Sequence, residues 1–138
     1  MSSVDVWVTG ASRGIGRAVA AGLLAQGRSV LGLSRNPDVA AFRAQAYTPE
    51  VLDLADLQQL PARVTQLLEQ YGTPKAWLHC AGMGRFGALE QMSVAQVQEV
   101  LAVNLTSVIL LARTLLPALK RANTGDVVLV GSEASLQG

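Results

Sequence analysis

Apolar positions along this chain alternate between short continuous runs and longer stretches with a helical repeat. Val4 to Val8 is a short apolar run stopped by Thr9-Gly10, which predicts a strand and then a turn. From Gly14 to Gln26, Ile15, Val19, Leu23 and Leu24 recur at helical spacing, and Gly27 stands where a helix would stop. Ser29 to Ser34 reads as a second strand, Pro37 to Gln45 as a short helix opened by its proline, and Thr48 to Leu52 as a weak third strand. Leu54, Leu57, Leu60, Leu67 and Leu68 repeat through a predicted helix that ends at Tyr71, with Pro61 near its start. Lys75 to Cys80 is a fourth strand, and Ala81 to Gln91 a glycine-rich loop. Ser93-Val94-Ala95-Gln96 is a capping box that opens a long helix to Ala122, with Pro117 bending its last turns. Asp126 to Val130 is a fifth strand. Strands alternating with helices predict a parallel sheet covered on both faces, an α/β fold in one domain.

Composition narrows the partners. Of 138 residues, half are apolar and only 15% are charged, against ~25% in an average soluble domain, which excludes a disordered tail. The formal charge is +1 with no run of Lys or Arg, so no footprint for nucleic acid or an acidic membrane is visible. The longest unbroken apolar run, Val108 to Ala112, is too short to cross a bilayer, and the N-terminus shows no signal peptide. A lone Cys80 beside a lone His79 makes neither an internal disulfide nor a metal cluster, which fits a reducing, cytoplasmic setting.

The sharpest chemical signal is Thr9-Gly10-Ala11-Ser12-Arg13-Gly14-Ile15-Gly16, directly after the first strand and opening the first helix. Glycines remove the Cβ that would obstruct an anion, and a helix start offers free amides and the positive end of its dipole. The spacing G-x-x-x-G-x-G in this strand-to-helix context points to a dinucleotide rather than to a bare turn.

With that motif the chain resembles the short-chain dehydrogenase/reductase family. Further landmarks follow in the family's order. Asp53-Leu54 stands where the family has an adenine-contacting Asp. Ala81-Gly82 is similar to the tail of its Asn-Asn-Ala-Gly, with His79 and Cys80 replacing the two asparagines. Asn104 matches the Asn of its long helix, and Ser132 its catalytic Ser. The resemblance implies a Rossmann-like, doubly wound sheet of order 3-2-1-4-5. It also implies hydride transfer between a nicotinamide and a small-molecule carbonyl or alcohol. The expected cofactor-binding residues are Gly10, Ser12, Arg13, Gly14, Ile15, Gly16, Arg35, Asp53, Leu54, Ala81 and Gly82. Asp53 has an alternative role as a helix cap, and Asn104 as a partner for nearby backbone groups.

The end of the second strand, Leu33-Ser34-Arg35-Asn36, lacks the acid that NAD-preferring members place there. Arg13 and Arg35 instead suit a 2′-phosphate, so NADP(H) is expected over NAD(H).

In the family, Ser132 would polarise the substrate oxygen and Asn104 would hold a relay water. The family's Tyr-x-x-x-Lys acid/base pair is not present in these 138 residues. The expectation is an N-terminal part of a reductase, truncated after the fifth strand and without turnover by itself. A non-catalytic dinucleotide-binding or regulatory subunit, or an inactive remnant, remain the alternatives. In the long helix, Val97, Leu101, Leu105, Val108, Ala112, Leu115 and Leu119 make one stripe, while Val100, Val103 and Leu110 lie off it. Apolar residues on two sides, one of which the resemblance implies as a helical interface between subunits, and an open fifth-strand edge predict that the chain self-associates as a homo-oligomer or is held by its missing half.

Overall fold

A computed structural model of the chain describes residues 3–123 and 125–136. Five parallel strands, β1 (Val6–Thr9), β2 (Val30–Ser34), β3 (Tyr47–Val51), β4 (Ala76–His79) and β5 (Asp126–Leu129), form one sheet in the order β3-β2-β1-β4-β5. The expected strand order and α/β class are therefore observed. The chain winds outward from β1 to β3, then crosses back to lay β4 and β5 on the other side. Thr9 is in register with Leu33 on one flank and His79 on the other, so the carboxyl ends of the three central strands are level. This reversal of winding is where an open α/β sheet leaves a crevice.

Side-chain alternation along β1 sorts the two layers. Val6 and Val8 pack with Val30 against Ala20 and Leu24 of α1 (Gly14–Ala25). Trp7 points to the opposite face, with Leu31, Leu33, Trp77 and the buried sides of α2 (Leu60–Tyr71) and α4 (Ser107–Arg121). Trp7 and Trp77 are register partners that expose no surface, and neither indole N–H has a partner. Large aromatic cores of this kind contribute heavily, since Trp→Ala in such a site costs ~3–5 kcal/mol.

Three expected elements differ. Residues 37–45 form turns, not a helix: Ala41 N–H bonds the Asp38 carbonyl, and Phe42 takes a left-handed φ of 55°. The second helix starts at Leu60 rather than Leu54, with Pro61 in its first turn. Asp53 and Asp56 hold the intervening segment by accepting from the amides of Ala55 and Gln59 with their side chains. These local bonds compete with helix.

The long apolar helix is also interrupted. The capping box is present, with Ser93 Oγ accepting from Gln96 N–H at 3.1 Å and Gln96 Oε1 accepting from Ser93 N–H at 3.0 Å. After α3 (Val94–Leu101) comes a π turn, Ala102–Thr106, and only then α4. The widened turn shifts the phase. Val103, Ser107, Leu111, Leu115 and Leu119 form the buried seam, while Leu101 and Leu105 are about half exposed, contrary to the stripe expected from a uniform helix. By length and composition alone, Val94–Arg121 could cross a membrane, at 28 residues and mean hydropathy 1.8. Its buried seam, however, is part of the sheet's core.

Candidate functional site

The turn from β1 into α1 is built by glycine. Gly10 has φ 78°, and a Cβ there would lie 2.6 Å from the Ala81 amide nitrogen, so β1 and β4 meet only because it has none. A Cβ at Gly16 would overlap the Gly10 carbonyl, which locks the first turn of α1 onto the loop. Gly14 is different: φ is 57°, and no atom lies within 4 Å of its would-be Cβ. It borders open space. No side chain caps α1, and no acid stands in its first turn, so its leading amides and dipole face that space uncompensated.

That space is a crevice of about 510 Å³. Gly10, Ser12, Arg13, Gly14 and Ile15 form its floor. Leu33, Ser34, Arg35 and Asn36 line it from β2, and Cys80, Ala81, Gly82 and Met83 from the end of β4. Leu52, Leu54 and Val103 add apolar wall. Nine of the expected residues therefore come together: Gly10, Ser12, Arg13, Gly14, Ile15, Arg35, Leu54, Ala81 and Gly82. Gly16 supports the floor from beneath.

Asp53, Asn104 and Ser132 are not among the crevice-lining residues. Asp53 borders a neighbouring groove of about 440 Å³ between β3 and α2, and its Oδ1 accepts from Ala55 N–H at 2.9 Å. Asn104 sits in the π turn, accepting from Met83 N–H at 2.8 Å and donating to the Met83 carbonyl at 2.6 Å. Ser132 Oγ accepts from Ala134 N–H at 3.1 Å, at the start of a short turn after β5.

The two residues that replace asparagines point to opposite faces. His79 is 3% exposed, its Nδ1 2.6 Å from the Thr9 hydroxyl, its Nε2 without a partner, and burial pushes its pKa down to about 4. Cys80 turns into the crevice wall, and burial pushes its thiol pKa up, away from a reactive thiolate.

One crevice residue was missed from sequence. Asp38 is the only acid among the described residues lining it, facing the same space as Arg13 and Arg35. Its place inside an expected helix hid it, and a search for an acid stopping at Asn36 ends two residues short.

The profile of the family described as short chain dehydrogenase matches residues 5–138. The 2,3-dihydro-2,3-dihydroxybenzoate dehydrogenase of Escherichia coli (strain K12) is 33% identical over 136 residues, covering 97% of this chain and 53% of that protein. A short-chain dehydrogenase from Streptomyces avermitilis has a TM-score of 0.87 at 28% identity, over 99% of this chain and 52% of that one. A metagenomic short-chain oxidoreductase in complex with NADP has a TM-score of 0.83 at 33% identity, over 94% of this chain and 63% of that one. This chain spans about half the length of the curated relatives it matches.

Proposed function

This chain belongs to the short-chain dehydrogenase family, and from that premise we propose that residues 1–138 form the dinucleotide-binding domain of an NADP(H)-dependent oxidoreductase. Its substrate would be a small-molecule carbonyl or alcohol, worked on in a reducing, cytoplasmic setting. One juxtaposition carries the proposal: the uncapped start of α1 shares a crevice with Arg13 and Arg35 at the reversal of strand order.

The residues present fit the cofactor. The leading amides of α1 would hold the pyrophosphate, with Gly14 leaving the approach open. Arg13 and Arg35 offer planar, permanently charged donors for a 2′-phosphate. Leu52, Leu54 and Ala81 supply apolar wall for the adenine end. A bound nicotinamide dinucleotide would supply or accept the hydride. Ser132 is assigned to polarise the substrate oxygen, and Asn104 to hold the relay water at the π turn. The Tyr-x-x-x-Lys that would move the proton is not present in these 138 residues, so no turnover is proposed for them alone.

Titration of the chain with each reduced cofactor tests the assignment. Tighter NADPH is expected, whereas equal affinity or tighter NADH overturns it.

Self-association belongs to the same proposal. Val94, Leu101, Leu105, Ile109 and Leu116 lie exposed along α3, the π turn and α4, and every residue of β5 is exposed. A monomer in sedimentation at high concentration would count against it.

A further inference from the structure

The acid in the crevice is not free. Asp38 Oδ2 lies 3.4 Å from Nη1 of Arg17, one turn along α1 from Arg13, and Asp38 Oδ1 accepts from Ala40 N–H at 3.0 Å. The Arg17 guanidinium in turn sits 5.7 Å above the centre of the Phe42 ring. Phe42 packs edge-on against Tyr47 at 5.1 Å, and Tyr47 fills the space that a Cβ at Gly32 would need. Phe42 holds a φ of 55°, rare for a bulky side chain, to reach this position. Residues 37–45 are thus fastened to α1 through Arg17, with Asp38 drawn to the helix side.

An unpaired carboxylate in this crevice would oppose a 2′-phosphate and accept hydrogen bonds from unphosphorylated ribose hydroxyls. We infer that Arg17 is a positioning residue for cofactor choice: by pairing with Asp38 and holding it toward α1, it offsets the one acid among the described residues lining the crevice and leaves Arg13 and Arg35 to receive the phosphate. This rests on the dinucleotide reading above and adds a residue outside the crevice lining to it. Its role requires no contact of Arg17 with substrate or cofactor.

The test compares NADPH and NADH dissociation constants for the natural chain, Arg17→Gln, Asp38→Asn and the double variant. Arg17→Gln is expected to lower the preference for NADPH about threefold to tenfold, because a released carboxylate then faces the phosphate at short range. Adding Asp38→Asn is expected to restore the natural preference to within about twofold, since the two changes act through one another. Asp38→Asn alone leaves the preference unchanged or raised.

A preference that Arg17→Gln leaves unchanged or raises overturns the inference, and general loosening of the loop would have that signature by weakening both cofactors alike. A loss that persists in the double variant also overturns it, because Arg17 then meets the phosphate directly. A natural chain that prefers NADH or binds neither cofactor overturns the parent reading, and this one with it. A natural preference for NADPH with no response to Arg17 sinks only the role of Arg17.

Discussion

Asn104 and Met83, 21 residues apart, exchange a reciprocal pair of hydrogen bonds at 2.8 and 2.6 Å. The side-chain amide of one residue satisfies both backbone groups of the other. The π turn between α3 and α4 is thereby tied to the loop that leaves β4 along the crevice. π turns inside α-helices recur at functional sites, and here the widened turn carries the residue that makes this tie.

Asn104→Ala should therefore loosen the crevice wall more than the fold. The expected cost is about 1 kcal/mol in urea unfolding, with Met83 amide exchange rising about tenfold. Asn104→Asp should do no better, since it loses the donor to the Met83 carbonyl. An unchanged Met83 exchange rate would show that the loop is held by other means.

His79 makes stability depend on acid. Burial lowers its pKa from 6.5 to about 4, so below pH 6.5 the unfolded chain takes up the proton more readily than the folded one. The contribution is complete above about pH 6.5 and is lost as pH falls through about 4. At about pH 5 the loss should be on the order of 2 kcal/mol relative to neutral pH. Replacing His79 with Asn should abolish that part of the slope in denaturation curves taken at both pH values. An identical slope in the variant would remove His79 from the account.

The glycines of the first turn should separate folding from binding. Gly10→Ala meets the Ala81 backbone at 2.6 Å and demands φ 78°, so destabilisation by more than about 2 kcal/mol is expected. Gly14→Ala meets nothing within 4 Å and should cost only about 1 kcal/mol in backbone strain. Its methyl group would intrude where a pyrophosphate is to lie, so NADPH affinity should fall at least about tenfold while the chain stays folded. Retained affinity in Gly14→Ala would place the nucleotide elsewhere.

Far from the crevice, Tyr71 Oη donates to Glu50 Oε1 at 2.5 Å, while Arg63 Nη2 lies 2.7 Å from Glu50 Oε2. This fastens α2 to the edge strand β3. Burial, reinforced by the Glu50 carboxylate, pushes the Tyr71 phenol up to about 12. The stabilisation holds below the ordinary phenol value of 10 and fades as pH climbs through about 12. Tyr71→Phe should cost about 1 kcal/mol near neutral pH, and ultraviolet titration should show one phenol fewer ionising late.

Much of this architecture was legible because local and global signals agree. The strand runs, the glycines that follow α1 and α2 (Gly27 and Gly72) and the Ser93–Gln96 box all specify what they form. What escaped depends on distant contacts or on phase. Residues 37–45 have helical composition, yet Arg17 and Tyr47 hold Phe42 in a left-handed conformation that no local pattern announces. Leu54 and Leu60 are buried as their repeat suggests, although side-chain bonds from Asp53 and Asp56 delay the helix between them. A fixed period of 3.6 carries Leu101 and Leu105 into the core, whereas the π turn at Asn104 rotates them out and brings Ser107 in. Arg13 was found because it lies inside a recognisable motif and Arg35 because it follows the second strand, whereas Asp38 was missed because it lay inside an expected helix and its partner is on another element.

The Trp7–Trp77 pair gives the molecule a built-in optical gauge. Both chromophores lie side by side in the dry centre of the sheet, on the strands that flank the crevice, with His79 5.5 Å from the Trp77 ring. No other tryptophan dilutes the signal. Fluorescence from this chain should therefore report whether β1 and β4 remain joined, and protonation of the neighbouring His79 imidazole is expected to quench it in acid.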